Sequence, residues 1–137
     1  MCWKSNKKPK QRTAKEDVIV YKLLIKTDDP NVMMSPINPF EYAFHHKYEN
    51  PPMKIIKNVE DGNTEYRIYE GFHSFSTFDG AQTAYIHYTM HQFVITRIVE
   101  CIIPKDSHYY RNGDYCVSDS IIINKILHDE LLDWWNN

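Results

Sequence analysis

Glycine and cysteine are scarce in this chain of 137 residues, with four of the first and three of the second. So little glycine leaves few positions for phosphate-cradling loops and excludes collagen-like or low-complexity architectures. The G-x-G-x-x-G, P-loop and G-x-S-x-G patterns are all missing, which removes the commoner nucleotide-binding and hydrolase signatures. The three cysteines, Cys2, Cys101 and Cys116, are odd in number and widely spaced, so they do not form a disulfide framework. No apolar run approaches the roughly 18 residues that span a bilayer. No apolar segment of the secretory kind follows the first residues, and no repeat of the solenoid or propeller kind is visible. These absences predict a soluble, cytoplasmic protein.

What is present is enough to build a core. Hydrophobic residues make up 42% of the chain, against 25% charged. The length suits one domain. Net charge is −2, but its distribution is uneven. Lys4, Lys7, Lys8, Lys10, Arg12 and Lys15 all precede the first acidic residue, Glu16, so residues 1–15 carry +6. Residues 16–137 hold ten basic against eighteen acidic side chains, or −8. The division predicts a flexible basic tail over 1–15 and a single domain over 16–137. Such an arm has the charge to grip nucleic-acid phosphates, although a solvated tail is the plainer expectation.

Along the body, Asp17–Ile25 has the composition of a buried strand, and the proline- and Asx-rich stretch Thr27–Pro39 reads as loop. Phe40–Tyr48 alternates aromatics as a strand does, with a break at His45-His46. Met53–Val59 and Thr64–Tyr69 flank the tetrad Glu60-Asp61-Gly62-Asn63, a hairpin pattern. Gly71–Thr77 is a further strand. Thr77 or Asp79 then caps a helix over about 79–91, with Ala81, Ala84, Tyr85 and Tyr88 on one face. Phe93–Ile103 and Ser120–Leu127 are strands, a turn falls at Asn112-Gly113-Asp114, and His128–Trp135 is read as a short C-terminal helix. The sum is an α+β domain, mostly antiparallel because its connections are too short for repeated βαβ crossovers.

Few residues offer chemistry. His87 and His91 stand four apart, with His73 on the preceding strand as a third ligand and Cys101 as a softer one. Position 88, however, is tyrosine where a zincin helix carries glutamate, and both histidines flank the apolar face, so no metal is expected. Cys101 lies in an apolar strand as a small core residue, while Cys116, beside a turn, is expected to be more exposed. The tryptophans Trp134 and Trp135 offer either a docked end or an apolar patch for a partner.

The segment Glu70-Gly71-Phe72-His73-Ser74-Phe75-Ser76-Thr77, a helix, then Cys101-Ile102-Ile103-Pro104-Lys105 and Ser118-Asp119-Ser120-Ile121-Ile122-Ile123 resembles small uncharacterised proteins of gut bacteria and their phages. With Val20-Tyr21-Lys22 as the first strand, the resemblance spans roughly residues 17–127. It implies a bacterial or phage-related setting and no reaction. A remoter likeness is to the ADP-ribosyltransferase layout of aromatic and basic residues on strand one, a Ser/Thr-rich strand before a helix, and a glutamate leading into an apolar strand. That likeness implies that Tyr21 or Lys22 holds NAD, Ser76 and Thr77 buttress the pocket, and the catalytic Glu100 stabilises a developing sugar cation. No glycine follows Lys22, and Ser74-Phe75-Ser76-Thr77 departs from the S-T-S pattern.

The leading expectation is therefore an accessory binding protein without a resident cofactor. Its ligand groove is expected between the strand bearing His73, Ser76 and Thr77 and the aromatic loop Pro39–Tyr48. An NAD-utilising enzyme and a nucleic-acid binder acting through its N-terminal cations are the alternatives.

Overall fold

A computed structural model describes residues 3–36, 40–50, 53–90 and 97–129. The described chain is mostly antiparallel sheet with one helix. The run Val-Ile-Val-Tyr-Lys-Leu-Leu-Ile-Lys forms the central strand β3 (Val18–Lys26), after two short pieces, β1 (Trp3–Ser5) and β2 (Arg12–Thr13). Thr27–Pro39 is not all loop. Val32–Met34 forms β4, which pairs with the end of β3 and buries Met33 completely. Short strands β5 (Glu41–Ala43) and β6 (Lys47–Glu49) follow, parted where the sequence pattern broke, at His45, whose φ is +61°.

The hairpin β7 (Lys54–Glu60) and β8 (Asn63–Tyr69) turns at Asp61-Gly62, both with positive φ, 51° and 78°. Such a two-residue turn matches the natural strand twist, and glycine enters it without a Cβ penalty. After β9 (Phe72–Phe75) comes α1 (Phe78–Met90). The chain then forms β10 (Arg97–Ile103), β11 (His108–Asn112), β12 (Tyr115–Ser118) and β13 (Ser120–Asp129). His128 and Asp129, expected to open a C-terminal helix, are strand residues paired with Ile98 and Arg97. The rest of that segment lies outside the described residues, as does His91.

The main sheet runs β2-β11-β12-β9-β3-β10-β13-β6, with β4 and β5 branching from β3. A smaller sheet has the order β1-β8-β7. The first residues are thus laid against the body at two places, β1 beside β8 and β2 beside β11. Ala14, fully buried, exchanges two backbone hydrogen bonds of 2.8 Å with Asp106 and Ser107.

Side-chain alternation divides the main sheet into two faces. One carries the largest core, with Val20, Leu24, Val99, Cys101, Ile103, Cys116, Ile121 and Ile123. The other holds Leu23, Phe75 and Ile98 beneath Ala81 and Tyr85 of the helix. The apolar helix face expected from sequence is the one that packs. Val117 and Tyr110 on that same side meet Ile68 of the small sheet. No helix among the described residues is long and apolar enough to cross a membrane.

Candidate functional site

Five strands bring one row of side chains together on the helix side. Tyr115 lies opposite Phe75, Phe75 opposite Tyr21, Tyr21 opposite Glu100, and Glu100 opposite Lys125. Tyr21 and Glu100, expected to cooperate, are therefore neighbours on one face. A β-bulge at Asn124 interrupts the β10–β13 register, and the Asn124 amide donates a 2.7 Å hydrogen bond to the Glu100 carboxylate. Lys125 Nζ stands 4.0 Å from the same carboxylate. Phe78 packs edge-on against Tyr21, with ring centroids 5.9 Å apart.

Lys22 takes the opposite face, because adjacent strand residues point opposite ways. It is buried. Its ammonium donates to the His73 carbonyl and lies 5.4 Å from the centre of the Tyr42 ring. Burial lowers its pKa to about 8, partly offset by the nearby Cys101. The ring of His73 is also mostly enclosed, and burial together with the Lys22 charge lowers its pKa to about 4.

Ser76 and Thr77 are occupied by local structure. Ser76 Oγ donates to the Gly113 carbonyl at 2.8 Å. Thr77 is the N-cap of α1: its Oγ1 accepts from the Gly80 N–H at 3.0 Å and donates to Asp114 Oδ1 at 3.1 Å. Of the residues expected to form one pocket, only Tyr21 and Glu100 stand side by side on one face.

The groove expected beside the aromatic loop is filled by rings. Phe40 and Tyr42 both meet Phe72 edge-on, with centroids 6.3 Å apart, and Tyr48 packs on both of them. Cys116 is buried, contrary to the sequence expectation, since its strand lies inside the sheet. Burial pushes its thiol up to about 11, against the pull of Ser74, Arg111 and Arg12, and pushes Cys101 up to about 12. Both thiols stay protonated at neutral pH, so neither is a ready nucleophile. Among the described residues, no three His, Cys, Asp or Glu side chains converge on a common point.

A cleft of about 500 Å³ opens between α1 and the β11–β12 turn. Phe75 and Tyr115, 5.6 Å apart, and Tyr88 supply its rings. Asp79, Thr83, His87 and Asp114 supply its polar edge. The helix approaches the turn closely at Gly80, where a Cβ would come within 2.9 Å of the Asp114 Cβ. Glu100 does not line this cleft. It lies two strands from Phe75 in the cross-strand row, roughly 10 Å away at ordinary strand spacing. The cleft was missed in the sequence because Asp79 and Asp114 are far apart there and each had a ready reading as a cap or a turn residue.

A second concavity, of about 1020 Å³, is lined by residues 10–13 and 15–19 and by Tyr109. Lys10, Arg12 and Lys15 face it together, beside Glu16 and Asp17. Lys4 stands elsewhere, 3.9 Å from Glu65 on the small sheet. No family model, no curated protein and no solved structure matches the chain.

Proposed function

We propose that this protein is a binding module whose ligand enters the cleft between α1 and the β11–β12 turn. The observation that carries the reading is the cleft itself, an open volume with aromatic walls and a few convergent polar groups, the usual make-up of a small-molecule site. Three rings with the carboxylates of Asp79 and Asp114 suit a flat cation, attracted by ring faces and by charge. The bacterial or phage-related setting implied by the resemblance fits an accessory binder.

The ADP-ribosyltransferase-like alternative is less well supported. It asks Tyr21 or Lys22, with Ser76 and Thr77, to share a ligand with Glu100. Lys22 lies on the opposite face from Glu100, and although Tyr21 stands beside it, Ser76 and Thr77 are bonded to Gly113, Gly80 and Asp114 at the start of the helix. NMR titration of labelled protein with benzamidine and, separately, with NAD tests both readings. Benzamidine is expected to shift the amides of Thr83, His87 and Tyr115, while NAD leaves Tyr21 and Glu100 unmoved. Localised NAD shifts at Tyr21 and Glu100, with none in the cleft from benzamidine, would overturn the binding reading in favour of the enzyme.

A second reading, attachment to nucleic acid through the N-terminal cations, is favoured by the gathering of Lys10, Arg12 and Lys15 on one concavity.

A further inference from the structure

Resting on that second reading, we infer that β2 and β11 form a site for the phosphate backbone of single-stranded nucleic acid, with Arg12 and Arg111 at its centre and Tyr109 between them. Pairing places Tyr109 directly opposite Arg12. Arg111 lies two residues beyond Tyr109 on the same strand, so alternation brings it to the same face. The influence of both arginines on the Cys116 thiol agrees with that placement. Lys10 and Lys15 extend the row along the concavity.

These four cations are exposed, and among the described residues none forms an ion pair. Lys4, Lys47 and Lys125, by contrast, each have a glutamate within 4.0 Å. Of the two carboxylates beside the row, Asp17 already accepts the Lys105 N–H at 2.9 Å. Unneutralised guanidiniums suit phosphate oxygens in a way ammonium groups do not. A half-buried tyrosine among them offers a base a surface to stack on. Without these four cations the chain carries −6. A duplex, with one charge per roughly 1.7 Å of axis, would lay phosphates over that acidic body. A single strand can follow the short row.

The test is fluorescence anisotropy of the full chain with a labelled oligothymidylate of about twelve nucleotides, between about 50 and 200 mM salt. Four phosphates neutralised at about −0.7 each predict a log–log salt slope near −3. Arg12→Ala with Arg111→Ala is expected to weaken binding at least tenfold at the lowest salt and to bring the slope to about −1.5. Lys4→Ala is the control, expected to change neither. Unchanged melting temperatures show that the variants fold. No binding at the lowest salt would overturn the nucleic-acid reading altogether. Binding that Lys4→Ala weakens as much as the double variant would overturn this site alone. Equal competition by a duplex or by polyglutamate would overturn the assignment to a single strand.

Discussion

Burial of Lys22 makes the stability of the folded protein depend on pH. In the unfolded chain its ammonium has the ordinary pKa of 10.5, and in the fold burial lowers this to about 8. Below pH 8 both states carry the charge, so the desolvation cost is fully felt. Between pH 8 and 10.5 the unfolded chain holds the proton more tightly, and stability rises with pH by about 3 kcal/mol in all. Lys22→Met is therefore expected to stabilise the protein by on the order of 1–3 kcal/mol at pH 7 and to flatten the alkaline rise, as measured by urea unfolding. Destabilisation at pH 7 would mean that the bond to the His73 carbonyl and the Tyr42 ring outweighs desolvation. His73 acts on the acid side. Its lowered pKa, about 4 against 6.5, means that stability falls as pH drops through that interval, and His73→Leu is expected to remove part of the fall. Neither environment was legible locally. A single lysine in Val-Tyr-Lys-Leu-Leu does not show what covers its side of the strand, and only the cores packed on either side of β3 show that both faces are covered.

At the scale of elements, the helix was the most legible feature because its signals are local. Thr77 caps it, and Ala81, Ala84, Tyr85 and Tyr88 repeat at helical spacing against the second core. Thr77→Ala is expected to cost about 1 kcal/mol, with Thr77→Ser retaining most of the stability, as read by thermal or urea unfolding. The loss is expected at the upper end of the range, because Thr77 Oγ1 also holds Asp114 and so joins the helix to the β11–β12 turn. The hairpin was equally readable from Asp-Gly. The short strands were not. Strands of two or three residues, such as β2 and β4, carry too few side chains to show a period, and distant partners fix them: β4 by the end of β3, β2 by β11. The candidate cleft shares that difficulty, since it forms only where α1 meets a turn more than thirty residues away, a separation seen in the Thr77–Asp114 bond. The placement of Tyr21 beside Glu100, and of Lys22 away from them, depends on which face each occupies, and a single strand's sequence does not show that.

For the whole molecule, the question is how far the basic first residues belong to the folded body. Composition alone made them a tail, because six cations without an acidic residue bury no apolar surface of their own. The pairing of Trp3–Ser5 with Tyr66–Ile68 and the two bonds of Ala14 tie them into both sheets, so they share in the stability of those sheets. Hydrogen exchange is expected to report this. The Ala14 amide, bonded to the Ser107 carbonyl in a buried position, should exchange at least a hundredfold more slowly than the exposed Lys8, a difference of about 2.7 kcal/mol. Comparable rates at the two positions would mean that the segment opens independently of the body. Slow exchange at Ala14 carries a consequence for any assay of the cations. Deleting residues 1–15 would then take one partner strand from each of β8 and β11 as well as remove charge, so lost binding could not be assigned to charge alone. Single substitutions at Arg12 and Arg111 leave the backbone bonds in place, and for that reason they separate a binding surface from a strand that only completes the fold.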